Sequence, residues 1–458
     1  MIDLKSQRWL SGSASLLALV LGGCAGSASP DAGSASSEPV ASAPAPSAST
    51  PTPSISASAI ASADAAPTAQ PYARAIKETL EEVTKIRKLP VKSDVKSFSL
   101  GREALLEKTK KKMREEIPPG VVELQSEGLR GLGLIPVDYD LEAGFLRLIS
   151  ARVAGFYDPD EKAMYLIDDL SKAQEDETLP HELVHALQDQ SFSIGWMLDY
   201  KPGKSDYLAA IQHLVEGDAT LAGMLATYGS EFEIDPEAMR TAFFLSTAMS
   251  PVGAETPPLI VSSLISPYTD GFAFAKALHD EGGWAAVDAA FKRLPETTEQ
   301  ILHLEKYNKK EAALAIPTIT TEALGPSYSI GLDETNGELG LRLMLEQWTA
   351  LKPAMAAAAG WGGDRYVVAQ TKDAQKSYAV ALYTRMDKAS DALEVAQVLK
   401  KQFGAACKER KDLGPVAWAH RGQDVVLVAG PYTKATAPTS AAGCKVADAW
   451  LKEILAAK

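Results

Sequence analysis

The segment His-Glu-Leu-Val-His at 181–185 has the residue types and the spacing of a metal-binding helix. Because residues four apart lie on one face of a helix, His181 and His185 can bind the same metal ion. Glu182 lies next to the first histidine, where it can reach a water molecule on that metal. Two histidines that bind zinc and a glutamate that acts as general base account for this pattern. The alternative is a pair of surface histidines on a polar helix face.

A catalytic zinc ion takes three protein ligands and keeps its fourth position open, so the two histidines need a third partner. Glu216 is the best candidate, because it lies in a second segment, residues 205–228, with apolar residues at helical spacing. An intervening loop can bring this second helix back to the histidine pair, and two histidines with one glutamate are a recognised catalytic set. The alternative for Glu216 is a solvated carboxylate or the partner of an ion pair.

Residues 154–228 resemble the gluzincin clan of zinc metallopeptidases, through the 181–185 segment and the Glu-Gly-Asp-Ala segment that begins at Glu216. The resemblance covers less than a quarter of the chain. It implies one Zn2+ per chain, bound by His181, His185 and Glu216, and a peptide or protein substrate. It also implies a zincin-like, mainly helical catalytic domain with a small active-site sheet, whose edge strand can pair with a peptide backbone.

One departure separates the chain from the thermolysin group of that clan. Thermolysin-like members have an acidic residue four positions after the ligand glutamate, where it orients a ligand histidine, whereas this chain has Thr220. A ligand histidine usually needs a hydrogen-bond acceptor that fixes its tautomer. Asp218 or Asp189 could take this role. The resemblance therefore implies a divergent family within the clan.

The resemblance also implies a mechanism. Glu182 takes a proton from the water on the zinc ion and passes it to the leaving amine. The tetrahedral oxyanion needs a donor, which in gluzincins is often a downstream tyrosine or histidine. The candidates are His213, three residues before Glu216; Tyr268, in a turn-like segment before a helix; and His303, after a stretch that can cap a helix. Each could instead be an ordinary surface or core residue.

The N-terminus predicts secretion and lipid anchoring. Lys5 and Arg8 precede an apolar run at 16–21, and small residues lead to Cys24, as in a secretory signal peptide. Residues 1–24 resemble a bacterial lipoprotein signal, whose cysteine is acylated and becomes the new N-terminus. The alternative is an ordinary signal peptide cut near Ala25. Because Ala25 follows the cysteine, and no aspartate does, the resemblance favours the outer membrane of the cell envelope, facing the periplasm or the surface.

Residues 25–70 are almost wholly alanine, serine and proline, and they include no aromatic residue. Such a composition cannot bury enough apolar surface to offset its conformational entropy. We therefore expect a disordered tether between the lipid anchor and the folded body. The net charge of the chain is −13. Without a basic stripe, the chain is not expected to bind nucleic acid.

The remaining chain predicts an α+β fold, with a catalytic domain at 71–325 and a small C-terminal α+β module at 326–458. A strand–turn–strand pattern at 154–167 precedes the metal-binding helix, which is expected to begin near 176–180 with Pro180 in its first turn. Runs at 366–370, 377–384 and 425–429 predict strands of the C-terminal module. Residues 72–117 could be an inhibitory prosegment or part of the domain, and we favour the second.

Two cysteines remain if Cys24 carries the lipid. In an oxidising cell envelope, two remaining cysteines are expected to form a disulfide, so the sequence predicts a bond between Cys407 and Cys444. The alternative is a pair of buried free thiols.

The function that these patterns favour is a zinc-dependent metallohydrolase of the cell envelope, a peptidase that cleaves amide bonds. One alternative is a non-catalytic, lipid-anchored binding protein with a structural or vestigial metal site. Structural zinc sites usually have four Cys or His ligands, and the absence of an evident fourth ligand favours the enzyme. A third possibility is a zinc hydrolase that acts on a non-peptide amide, such as a cell-wall link.

Overall fold

The computed structural model describes residues 72–199, 201–229, 233, 235–408, 410, 413–433 and 441–457. The predicted signal peptide (1–24), its lipidation site Cys24 and the tether (25–70) lie outside these residues and stay predictions. Within the described ranges, helices combine with two small sheets, which confirms the α+β fold class. No helix in these ranges has the length and apolar character needed to span a membrane.

The helices of the described residues are, in chain order, α1 Ala73–Arg87, α2 Arg102–Glu116, α3 Val121–Leu132, α4 Leu141–Arg152, α5 Lys172–Phe192, α6 Ser205–Tyr228, α7 Pro236–Ala248, α8 Pro251–Ala254, α9 Pro258–Lys292, α10 Thr298–Leu302, α11 Leu304–Lys309, α12 Gly337–Glu346, α13 Leu351–Ala358, α14 Ala389–Phe403 and α15 Ala441–Ala456. The strands are β1 Lys96–Leu100, β2 Gly155–Asp158, β3 Ala163–Ile167, β4 Tyr328–Glu334, β5 Trp361–Thr371, β6 Ser377–Met386, β7 Val416–Arg421 and β8 Asp424–Thr433.

The smaller sheet has the strand order β1-β3-β2 and directly precedes α5. β2 and β3 form the predicted antiparallel hairpin, with Phe156 opposite Tyr165. β1, which the sequence patterns do not indicate, pairs parallel with β3 and places Phe98 opposite the same tyrosine. The Tyr165 ring stacks on both phenylalanines, at centroid distances of 5.2 and 4.8 Å. This row of aromatic rings across the strands stabilises the sheet.

The larger sheet is antiparallel throughout, with the order β4-β5-β6-β8-β7. The three predicted C-terminal strands lie inside β5, β6 and β8. Alternate residues of β5 belong to two different cores, because side chains of a strand point to opposite faces. Tyr366 and Val368 face the core that includes α3, whereas Val367 and Ala369 pack with α15.

α3 packs directly on the larger sheet, although it lies in the predicted catalytic domain. A Cβ atom on Gly128 would overlap the hydroxyl of Tyr366, and one on Gly131 would press on the ring of Tyr432. The glycines therefore let the helix backbone approach the sheet closely. Residues on both sides of the predicted boundary between 325 and 326 share one hydrophobic core. The two predicted domains are thus packed together through their apolar interior.

α5 begins earlier than predicted, at Lys172 and not near 176–180. Ser171 caps it: its hydroxyl accepts from the Gln174 backbone N–H, and the Gln174 side chain accepts from the Ser171 N–H at 2.9 Å. This capping box outweighs the expectation that proline marks a helix start. Pro180 instead lies inside the helix. Because proline has no N–H, Pro180 cannot donate a hydrogen bond to the carbonyl of Asp176. The helix therefore lacks one backbone hydrogen bond directly before His181.

α6 is the central helix, buried on nearly every side from Ala210 to Gly223. It crosses α9 at a point of backbone contact, where a Cβ atom on Gly217 would overlap the carbonyl of Gly271. Tyr268 lies one turn from this crossing and inside α9, which corrects its predicted place in a turn before a helix. The burial of α9 against α6 explains why the chain stays helical through Pro267.

Candidate metal centre

Three predicted ligand residues lie together at the contact between α5 and α6. The Nε2 atoms of His181 and His185 are 3.1 Å apart. The Oε2 atom of Glu216 lies 3.3 Å from His181 Nε2 and 3.4 Å from His185 Nε2. These three atoms thus form a nearly equilateral triangle.

The size of this triangle can be compared with what a zinc ion requires. Zinc in proteins is usually tetrahedral, with bonds of about 2.0–2.2 Å to nitrogen and oxygen, which places neighbouring ligand atoms about 3.3–3.6 Å apart. The separations in the cluster, 3.1–3.4 Å, are close to this requirement and slightly on its short side. Two imidazole nitrogens and one carboxylate oxygen are also a donor set that suits zinc. The residues present therefore fit a zinc ion.

Close helix packing holds the three candidate ligands in place. A Cβ atom on Gly223 of α6 would lie 3.3–3.4 Å from His181 atoms, so α6 passes directly against the first ligand. The glycine contact between α6 and α9 lies next to Glu216. Glu182 and Glu216 are buried, whereas the His181 side chain is 13 % exposed. Of the three ligands, His181 is therefore the one most accessible from solvent.

A buried glutamine is the hydrogen-bond partner of His185. The Nδ1 atom of His185 lies 2.8 Å from Oε1 of Gln188, and this amide oxygen can only accept. In the neutral imidazole the hydrogen is therefore on Nδ1, and the lone pair of Nε2 faces the other candidate ligands. The Gln188 amide nitrogen donates to the Val215 carbonyl at 2.9 Å and to Asp218 Oδ2 at 2.8 Å. Gln188 lies one helical turn after His185, a spacing that would have found it in the sequence.

The two predicted acceptors behind the histidines have other positions. Asp218 is linked to His185 through Gln188. Asp189 accepts from the Tyr157 hydroxyl at 3.0 Å and from Lys162 Nζ at 2.5 Å, so it ties the β2–β3 hairpin to α5 instead of orienting a ligand. Side chains at successive helix positions point about 100° apart, which explains why Gln188 faces the ligand and Asp189 faces the sheet.

α1 extends this hydrogen-bond chain. Arg87, which is completely buried, pairs with Asp218 at 2.5 Å and with Asp288 at 2.7 Å, and its guanidinium lies 4.7 Å from the centre of the Trp284 ring. The first helix of residues 72–117 is therefore built into the interior behind the candidate centre. This arrangement favours a role as part of the domain over that of a removable prosegment.

Opposite charges in the cluster of candidate ligands shift the pKa values of its members strongly. Burial acts to raise the pKa of Glu216, but His185 and His181 outweigh it and lower that pKa to about 2. Burial acts to lower the pKa of His185, but Glu216 and Glu182 outweigh it and raise that pKa to about 9. An imidazolium and a carboxylate thus stabilise each other without a metal, and a metal ion must displace the proton of His185 when it binds.

Of the three candidate oxyanion donors, Tyr268 lies beside the cluster. Its ring centre is 6.0 Å from that of His181, and the residue is buried. His213 donates from Nδ1 to the Ala209 carbonyl at 2.7 Å, and burial lowers its pKa. His303 is bonded to Glu338 at 2.8 Å, which raises the pKa of the histidine. The geometry thus favours Tyr268 over both histidines.

A second group of carboxylates, Glu299, Glu311 and Asp387, also has the spacing of a metal site. Its centre already holds a cation: Lys306 Nζ lies 2.5 Å from Glu299, 2.7 Å from Asp387 and 3.1 Å from Glu311. The ammonium group neutralises these carboxylates and links α10 and α11 to the end of β6. This cluster is therefore interpreted as an ion-pair network.

The predicted disulfide partners Cys407 and Cys444 lie at bonding distance, with their Cα atoms 5.7 Å apart. This separation is typical of a disulfide. Whether the bond forms in the cell stays a prediction.

Comparison with known proteins gives one match. Residues 329–439 match a family described as a domain of unknown function, DUF8575. No curated protein and no solved structure matches the chain. The matched residues form most of the larger sheet and include none of the predicted metal ligands, so this similarity assigns no chemistry to the centre.

Proposed function

We propose that this chain is a zinc-dependent metallohydrolase, a peptidase that cleaves amide bonds. The observation that carries the proposal is the triangle of His181, His185 and Glu216, whose ligand atoms lie 3.1–3.4 Å apart beside the buried Glu182. Zinc bound there would polarise a scissile carbonyl and lower the pKa of water toward neutrality.

The side chains around the cluster then have defined roles. Glu182 takes the proton of the attacking water and delivers it to the leaving amine. Tyr268 donates a hydrogen bond to the oxyanion that develops on the scissile carbonyl. Gln188 keeps the hydrogen of His185 on Nδ1. A peptide could pair with an edge strand of the smaller sheet, where β1 and β2 each have one unpaired side within the sheet.

We also propose that the enzyme is secreted and held in the cell envelope by a lipid on Cys24. Substitution by serine tests this, because Cys24→Ser removes the sulfur that would carry the acyl group. We expect the variant to move from the membrane fraction to the soluble fraction of the envelope. An unchanged membrane fraction would reject the anchor at this residue.

The decisive experiment on function measures metal content and cleavage together. We expect about one zinc per chain in the purified protein and a large loss in Glu216→Ala, because two histidines alone do not complete a catalytic set. A peptide library then reports cleavage, with Glu182→Gln as a variant that keeps zinc but loses activity.

The outcomes separate the alternatives. Failure to bind zinc, even after it is added, would reject the metallohydrolase. Zinc retention without cleavage of peptides or of cell-wall amides would favour the non-catalytic binding protein. Cleavage of a cell-wall amide but of no peptide would favour the non-peptide amide hydrolase.

A further inference from the structure

A pocket lies between α7, α9, α12 and the start of α13, away from the candidate metal centre, and no part of the proposed mechanism uses it. Its volume is about 290 Å³, close to the lower end of small-molecule sites at roughly 300–1,000 Å³. Apolar side chains form much of its wall: Phe244, Leu245, Pro258, Ile265 and Leu351. Arg240, Asp270 and Arg342 also line it. The pocket thus combines apolar walls with a group of charged side chains, Arg240, Asp270 and Arg342.

The charged side chains of the pocket already form ion pairs with one another. Asp270 forms ion pairs with Arg240 and, at 2.6 Å, with Arg342. Burial acts to raise the pKa of Asp270, but the two guanidinium groups outweigh it and lower that pKa to about 2. One buried carboxylate therefore lies between two cations. Glu346 is the other acid of the pocket, 3.3 Å from Arg342 Nε.

Arg342 has donors that the described residues do not use. Its side chain is 4 % exposed, yet neither Nε nor Nη1 donates a hydrogen bond to any described residue. Glu346 lies near Nε but outside hydrogen-bonding geometry. Buried donors without acceptors are costly, and most of all on a charged group. An acceptor that enters the pocket would relieve this cost.

We propose that this pocket binds a small amphipathic carboxylate. The carboxylate accepts hydrogen bonds from Arg342 and Arg240, because a guanidinium group matches a carboxylate with two parallel bonds. The apolar part of the ligand lies between Phe244 and Leu351, two of the apolar side chains of the pocket wall. The ligand could be a free medium-chain fatty acid or the C-terminal residue of a peptide with an apolar side chain.

The pocket is distinct from the candidate metal centre. On α9, Tyr268 lies beside His181, whereas Ser266 and Asp270 line the pocket. Residues two positions apart on a helix point about 200° apart, so these two residues face away from Tyr268. Binding in the pocket therefore needs no zinc, and its failure would leave the proposed hydrolase untouched.

The test is calorimetric titration of the full chain in the presence of a chelator. The probes are octanoate, octanamide, a short peptide that ends in leucine, and the same peptide with an amidated C-terminus. We expect saturable one-to-one binding of at least one carboxylate, with its amide at least tenfold weaker. Preference for octanoate or for the peptide identifies the source of the carboxylate.

Variants separate the contributions of charge and space. Arg240→Gln should weaken carboxylate binding at least tenfold, whereas Glu346→Gln should strengthen it because a competing anion is removed. Ser262→Trp should abolish binding by filling the pocket without changing its charge. Arg365→Gln, which breaks an ion pair with Asp333 at the larger sheet, is the matched control and should bind normally.

No saturable binding of either carboxylate at 1 mM would overturn the proposal. Equal binding of acid and amide, unchanged in Arg240→Gln, would also overturn it. If Arg240→Gln does not fold, Ser262→Trp and Glu346→Gln still decide between these outcomes.

Discussion

Replacing Gln188 by methionine tests the hydrogen-bond chain behind the candidate zinc centre. The amide makes three contacts, to His185 Nδ1 at 2.8 Å, to the Val215 carbonyl at 2.9 Å and to Asp218 at 2.8 Å. Methionine has a similar volume but lacks these partners. His185 and Asp218 are buried, so neither recovers its lost bond from water.

The magnitude follows from these contacts. Each buried group that loses its partner costs ~1–3 kcal/mol. With two such groups, we expect the free energy of unfolding to fall by ~2–6 kcal/mol. Loss of the partner that orients a ligand histidine typically weakens metal binding by about 10–100-fold. This corresponds to ~1.4–2.8 kcal/mol at 1.4 kcal/mol for each tenfold change.

A second substitution separates metal binding from folding. Gln188→Glu keeps an acceptor for His185 but replaces the donor to Asp218 by a carboxylate. We expect its zinc affinity to stay near that of the native protein, because a carboxylate is a normal partner of a ligand histidine. Its folding stability should still fall, since two carboxylates then face each other in the interior.

Zinc affinity is measured by competition with a chromophoric chelator, and stability by urea unfolding of the metal-free protein. Gln300→Met is the control, because Gln300 is also buried and bonded, with Nε2 2.8 Å from the Glu311 carbonyl. It should lose stability but keep its zinc affinity. A folded Gln188→Met protein that binds zinc as well as the native protein would refute the assigned role.

Three further predictions concern the folding stability of the protein. Gly217→Ala should lower the free energy of unfolding by ~1–3 kcal/mol or more, because the new methyl group overlaps the Gly271 backbone. Burial raises the pKa of Asp206 to about 7, so its stabilising contribution is present below about pH 4 and is lost as pH rises through 7. Asp206→Asn should therefore match the native protein near pH 4 and be more stable by up to ~4 kcal/mol above pH 7. Reduction of the Cys407–Cys444 bond, which closes a separation of 37 residues, should lower stability by ~3–4 kcal/mol.

Each of these predictions has a control. Gly101→Ala places its methyl group at an ordinary distance of 3.5 Å from Asp168 and should be nearly neutral. The stabilities of the native protein and of Asp206→Asn are compared by thermal unfolding across the pH range. A stability difference between them that does not depend on pH would contradict the raised pKa of Asp206. For the disulfide, Cys407→Ser combined with Cys444→Ser should lose stability and become insensitive to reductant. A native protein with two free thiols would reject the bond.

Most of the features that the amino-acid sequence predicts correctly depend on the spacing of residues close together in the chain. The positions of His181, Glu182 and His185 on one helix follow from the period of the α-helix, which needs no tertiary contact. The β2–β3 hairpin is also local, since its strands are joined by a short turn. By contrast, the parallel pairing of β1 with β3 joins segments separated by a long stretch of chain, including three helices, and short-range patterns do not encode such a pairing.

The amino-acid sequence by itself determined the α+β class, the helix with the histidine pair and the choice of Glu216 as the third candidate ligand. Only the tertiary structure decided which residues lie around that cluster. Arg87 contacts Asp218 across 131 residues of sequence, and Tyr268 reaches His181 because two glycines let α6 and α9 touch. The physical reason is that helical spacing is set within a few residues, whereas the partners of a buried polar group are set by how whole helices pack.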